Sequence, residues 1–239
     1  MSQVLPTGKS APAWVIILSI LLGLTGLHIL LHFILHGVLN VHQVVIAAFL
    51  VLNLLINFWE LGLYFTSDQI RQQYLDNKHR FEGNPTGPAV EFFNYRIPLN
   101  QLFSFQQWTG VWASYCYFDS GYSRRGSFGF NIDVGNGFST ILPATLFALG
   151  ITLEWLPAKV LGIIGVAMFW QMFYGTVVYF FQFFNAGRHH GHKASDLWLF
   201  VGASNGMWFI FPLWGLWLSV WLIYHDSYAI FTTSTTFWW

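Results

Sequence analysis

Charge is what this chain has least of. Its 239 residues include ten Lys or Arg and ten Asp or Glu, 8% together, against about a quarter in an ordinary soluble domain. With hydrophobic residues at 55% and a mean hydropathy of +0.50, there is too little polar surface to solvate a globular fold, which excludes a soluble protein. The two signs balance and the cations are scattered, which excludes an electrostatic footprint for nucleic acid. A single cysteine, Cys116, excludes an internal disulfide. Nine histidines are present but without paired His-x-x-His-His boxes, which argues against a membrane diiron hydroxylase, and neither a metal nor a cofactor is expected. The loop trio His189, His190 and His192 reads as solvated rather than as a metal site.

Long apolar runs are what the chain does have. The sequence predicts an all-α integral membrane protein, a five-helix bundle with spans at about 14–39, 41–65, 133–155, 159–185 and 196–224. A polar leader, 1–12, precedes this single membrane domain of 13–225, and a tail, 226–239, follows it. The first run is too long for the apolar region of a cleaved signal peptide, so it reads as a retained span. Between spans two and three lies a long polar and aromatic loop, broken at Gly83-Asn84-Pro85-Thr86-Gly87-Pro88. Within it, 98–118 reads as interfacial or re-entrant, with a sixth span left open. On five spans, nine basic residues fall on the side of the N-terminus and only Lys159 falls opposite, which predicts a cytosolic N-terminus.

The second span carries Asn53, Asn57, Glu60 and Tyr64 at spacings of four, three and four, one face of an otherwise apolar helix. A carboxylate at membrane depth costs about 2.5–3.5 kcal/mol on insertion scales, so Glu60 should face the bundle interior and is the first candidate for a working acid. The plainer reading has Glu60 near a helix end, reaching the interface. His28, His32 and His36 form a stripe on span one, with His42 just beyond; hydrogen bonding inside the bundle is the simplest account of them. Span three opens with Asp133 and Asn136, span four holds Gln171, Tyr174 and Tyr179, and span five holds Asn205 and Trp208. Amides and hydroxyls are ordinary interhelical glue in membranes. Two carboxyls in different surroundings, together with an indole face, are more specific: one acid can donate a proton, the other accept one, and the indole can stabilise a cation by about 0.5–2 kcal/mol.

Four stretches then resemble the emopamil-binding proteins, whose shared membrane domain is called EXPERA. They are Trp112-x-x-Tyr115-x-x-x-Asp119-Ser120-x-Tyr122, the acid Asp133 eleven residues on, Tyr174-Gly175-x-x-x-Tyr179-Phe180, and Asn205-x-x-Trp208 with Pro212; Glu60 falls at the family's second-helix glutamate. The resemblance implies a five-helix bundle in the endoplasmic reticulum and a substrate that passes through a protonated, cationic intermediate. It implies that Glu60 and Asp133 handle protons, Asn205 orients and Trp208 faces the cation, with Asn57, Tyr64, Tyr115, Asn136, Gln171, Tyr174 and Tyr179 around the substrate. The chain departs from the sterol isomerases of that family at Ile56, where they have histidine, at Asp133, where they have glutamate, and at Asn185 to His192, which replaces an acidic stretch. Asn57-Phe58-Trp59-Glu60 is similar to the Asn-x-Trp-Glu segment of fungal membrane-bound terpene cyclases. Together these point to a terpene or meroterpenoid epoxide cyclase on this scaffold. The alternatives are a sterol Δ8/Δ7 isomerase and a non-enzymatic sterol-binding protein. The expected partners are a hydrophobic isoprenoid or sterol and the lipid bilayer, and a homodimer stays open.

Overall fold

A computed structural model describes residues 8–234; residues 1–7 of the leader and 235–239 of the tail lie outside it. Among the described residues, four helices are long and apolar enough to cross a membrane: α1 (Ala13–His36), α2 (Val41–Phe65), α8 (Ala158–Asn185) and the passage Ala194–His225. The third predicted span is instead a bent pair, α6 (Phe128–Ser139) and α7 (Ile141–Leu153), meeting at 50°. Asp133 therefore lies inside α6 rather than at the start of a span.

Local chemistry sets these boundaries. Gly37 ends α1 in the left-handed conformation (φ 72°), and its amide donates to the Phe33 carbonyl. Asn40 then caps α2 by accepting from the Gln43 amide at 3.1 Å, so a short link turns the chain back on itself. The last passage begins as α9 (Ala194–Leu197), widens into a π-helical turn over Trp198–Ala203, and continues as α10 (Ser204–His225). Side chains satisfy carbonyls beside that turn: Ser204 Oγ donates to the Phe200 carbonyl at 2.6 Å and Asn205 Nδ2 to the Val201 carbonyl at 2.8 Å.

The stretch between α2 and α6 is a folded cap, not a loop. It holds α3 (Ser67–Arg80), α4 (Gly87–Asn94) and α5 (Thr109–Tyr115). The 98–118 segment comprises the end of a strand, two short 3-10 turns and the seven-residue α5, none of them long enough to cross a bilayer. The leader's last residues also belong to the cap. Strand β1 (Ser10–Pro12) pairs antiparallel with β2 (Arg96–Pro98), which ties the start of α1 to it. Cys116, at the end of α5, has no exposed surface, and burial pushes its thiol well above the usual range. It is expected to resist a water-soluble maleimide at pH 8 in the folded protein and to react fully after denaturation; equal labelling in both states would displace α5 from this position.

Close helix contacts depend on missing side chains. A Cβ at Gly162 would stand 2.6 Å from the Ser219 carbonyl of α10, and one at Gly215 would stand 2.6 Å from the Phe169 ring of α8. Small residues facing one another let α8 and α10 approach backbone to backbone. At the end away from the cap, the histidine stripe is absorbed by hydrogen bonds. His28, His32 and His36 bond the carbonyls of Ala148, Phe231 and Thr152 through their Nε2 atoms. The Asn40 amide donates to the carbonyls of Ile230 and Thr233, so residues 226–233 are docked against the α1–α2 turn rather than forming a free tail.

Candidate functional site

α2 and α6 touch at Gly137. A Cβ there would stand 2.8 Å from Glu60 Cβ, 3.1 Å from the Leu61 amide nitrogen and 3.2 Å from the Asn57 carbonyl, so only glycine permits the approach. Asp133 lies one turn before Gly137 on the same face of α6, and it interacts electrostatically with Glu60. The crossing thus presents two carboxyls to one space. That space is a cavity of about 560 Å³, bounded by α2, α4, α5, α6, α8 and the start of the last passage. Cavities of this size hold ligands that are mostly apolar and carry a few placed polar groups.

Seven residues singled out from the sequence line this cavity: Glu60, Asp133, Asn205, Trp208, Tyr115, Asn136 and Tyr179. Glu60 is 3% exposed. The Asn57 amide stands behind it and, turned to satisfy its surroundings, donates to Glu60 Oε2 at 2.9 Å and accepts from Thr140 Oγ1. Trp208 donates from its indole nitrogen to Asn53 Oδ1 at 3.0 Å, which fixes the ring plane at the cavity wall. The rest of the wall is apolar and aromatic, and Val90, Phe93 and Leu199 combine lining positions with exposed surface, giving the cavity a greasy rim between α4 and the π-helical turn.

Four expected residues stand elsewhere. Asn57 is buried but acts behind Glu60 rather than on the cavity surface. Gln171 likewise sits one layer out, donating to Asn136 Oδ1 at 3.0 Å and to Ser139 Oγ at 2.6 Å. Tyr64 does not reach the cavity. It lies on the outer side of the α2–α6 crossing, edge-on to Phe138 and with the Arg125 guanidinium over its ring at 5.6 Å. Tyr174 also points away, 56% exposed and stacked on Trp170, because it lies about 100° around α8 from the inward-facing Gly175.

Other residues at the site emerge only in three dimensions. Trp112 donates to the Trp59 carbonyl at 2.7 Å and stacks on Tyr122, whose hydroxyl faces the Asp133 carboxyl. The Tyr115 and Tyr179 hydroxyls are 2.7 Å apart, and Asn205 Nδ2 donates to Tyr115 at 2.9 Å. Burial pushes the Tyr115 and Tyr122 hydroxyls well above their usual range, which keeps both neutral and available as donors. Tyr122 stood in the aromatic motif around Trp112, but its partner could not be read there; Thr140 carries no signal in sequence. Among the described residues, no three His, Cys, Asp or Glu side chains come together as a metal-holding group.

No protein-family model matches the chain, and comparison with curated proteins finds no match.

Proposed function

We propose that this protein is a membrane-embedded acid/base enzyme that carries an isoprenoid substrate through a carbocation, most specifically an epoxide-opening terpene cyclase. The observation that carries the reading is the meeting of Glu60 and Asp133 at one apolar cavity of about 560 Å³, with the Trp208 indole on its wall. Two acids able to exchange roles, an aromatic face and little water are the equipment of proton-initiated cation chemistry. The greasy rim at Val90, Phe93 and Leu199 suits a substrate that arrives from the bilayer.

In this reading one carboxyl gives its proton to the epoxide oxygen as the C–O bond breaks, leaving a hydroxyl and a carbon cation. An alkene pair closes a C–C bond onto that carbon. The second carboxyl, as carboxylate, removes a C–H proton and restores a double bond. The substrate is isomerised and no cofactor is consumed. Asn205 and Tyr115 orient the oxygen function, and Trp208 lies where its π face meets positive charge.

We further propose that α6 and α7 cross the membrane as one bent span, making five, and that the cap faces the cytosol from the endoplasmic reticulum. Nine of the ten basic residues, all but Lys159, belong to the N-terminal segment, the cap or the α8–α9 link, which supports that orientation.

Purified protein in vesicles, offered an epoxidised prenyl substrate and, separately, a Δ8 sterol, tests the assignment. Cyclised product from the first supports it. Turnover of the sterol alone replaces the cyclase with an isomerase, and sterol binding without turnover of either leaves a binding protein. Trp208→Phe should lower turnover less than Trp208→Leu does, because a phenyl ring keeps a weaker π face worth about 0.5–2 kcal/mol and leucine has none. Equal losses would remove the cation from Trp208.

A further inference from the structure

A line of polar side chains leaves the cavity away from its greasy rim and runs towards the α8–α9 link. Its outer end is an ion pair: Arg188 Nη1 lies 2.5 Å from Asp119 Oδ1, with Arg188 only 13% exposed and Asp119 fully buried. Asp119 starts the 3-10 turn Ser120–Ser123 and also accepts from the Gly121 amide at 2.8 Å. Both of those bonds engage Oδ1. The Tyr179 hydroxyl interacts with the same carboxyl from the cavity side.

The hydrogen bonds have a direction. Asn205 Nδ2 donates to the Val201 carbonyl, which identifies it as the amide nitrogen, and to the Tyr115 oxygen. Tyr115 is thereby free to donate to Tyr179, 2.7 Å away, and Tyr179 to donate towards Asp119. All three tyrosines around this point, Tyr115, Tyr122 and Tyr179, lie within electrostatic range of Asp133. The chain therefore begins beside one acid of the pair and ends at a carboxyl held by a largely buried guanidinium.

We propose that Asp119, Tyr179 and Tyr115 form a proton relay through which the Glu60–Asp133 pair exchanges protons with the aqueous face at Arg188. The inference rests on reading Glu60 and Asp133 as acids that handle protons. A proton arriving at Asp119 passes to the Tyr179 oxygen as Tyr179 gives its own to Tyr115, and Tyr115 releases one to Asp133. Each hydroxyl gains one proton and loses one, so the net transfer is a single proton with no other reactant. Arg188 carries none; it holds Asp119 in place and stabilises its charged form. Burial pushes the Asp119 carboxyl up against the opposing pull of Arg188, so it takes up a proton more readily than an exposed aspartate does. The supply is needed because one turnover leaves the donor acid empty and the acceptor filled.

The test requires no substrate. Infrared spectra of the full-length protein in vesicles, transferred from H2O to D2O, report how fast a buried carboxyl exchanges its proton, and Glu60→Gln and Asp133→Asn assign the band. Tyr179→Phe, which keeps the ring, and Asp119→Asn are each expected to slow that exchange by about 10²-fold, while Tyr228→Phe at the far end leaves it unchanged. Wild-type exchange in Tyr179→Phe overturns the relay even if Asp119→Asn fails to fold. A wild-type spectrum with no exchangeable carboxyl band removed by either acid variant overturns the proton-handling reading itself, and the relay with it.

Discussion

Asp133→Asn is expected to lower turnover by about 10²–10⁴-fold while leaving substrate affinity within a factor of a few. The amide keeps the size of the side chain and can still meet the Tyr122 hydroxyl, but it has no acidic proton to give. Glu60→Gln should fall by a similar factor and, if Glu60 is the group that quenches the cation, should also change the product mixture. Glu60 sits against Gly137 and its Oε2 faces the Asn57 amide, so the replacement is isosteric in a tight place and its effect is chemical. Product formation and binding of the substrate, measured separately in membranes, distinguish these outcomes. Wild-type yield from both variants would sink the acid/base mechanism and leave a binding protein.

Gly137→Val is expected to be the most damaging substitution that adds no charge. Its Cβ would stand 2.8 Å from Glu60 Cβ and 3.1 Å from the Leu61 amide nitrogen, and the second neighbour is backbone, which cannot step aside. Overpacking of this kind costs about 1–3 kcal/mol, and the helices can relieve it only by separating, which draws Glu60 away from Asp133. Both the melting temperature in detergent and the activity should therefore drop together. Gly135, two residues earlier on the same helix, has open space where a Cβ would stand, with no atom within 4 Å. Gly135→Ala is therefore the control: it should hold or raise stability by up to about 1 kcal/mol through helix propensity alone. An unchanged melting temperature for Gly137→Val would mean that α6 does not cross α2 at Glu60.

Helix positions were legible in the chain because lipid and backbone hydrogen bonding leave a long apolar segment few options. Val41–Phe65 is the same in sequence and structure, and Gly37 and Asn40 mark the preceding turn by their local chemistry. The inward face of α2 was legible for a related reason: polar groups at spacings of three and four cannot all meet lipid, and Asn53, Asn57 and Glu60 are all buried. Periodicity names a face but not its neighbour. It put Tyr64 beside Glu60 and Tyr174 beside Gly175, whereas the turn of each helix and the crossing of α6 carry both rings outward. The cap read as a loop because α3 to α5 are short and their burial comes from packing against one another and α2, not from any run of apolar residues. The pairing of Asp119 with Arg188, sixty-nine residues apart, and the tyrosine chain behind it depend on where α5 and the end of α8 meet. Which helices approach is decided by small residues such as Gly137 and Gly175 acting over long separations in the chain, and only tertiary structure sets that outcome.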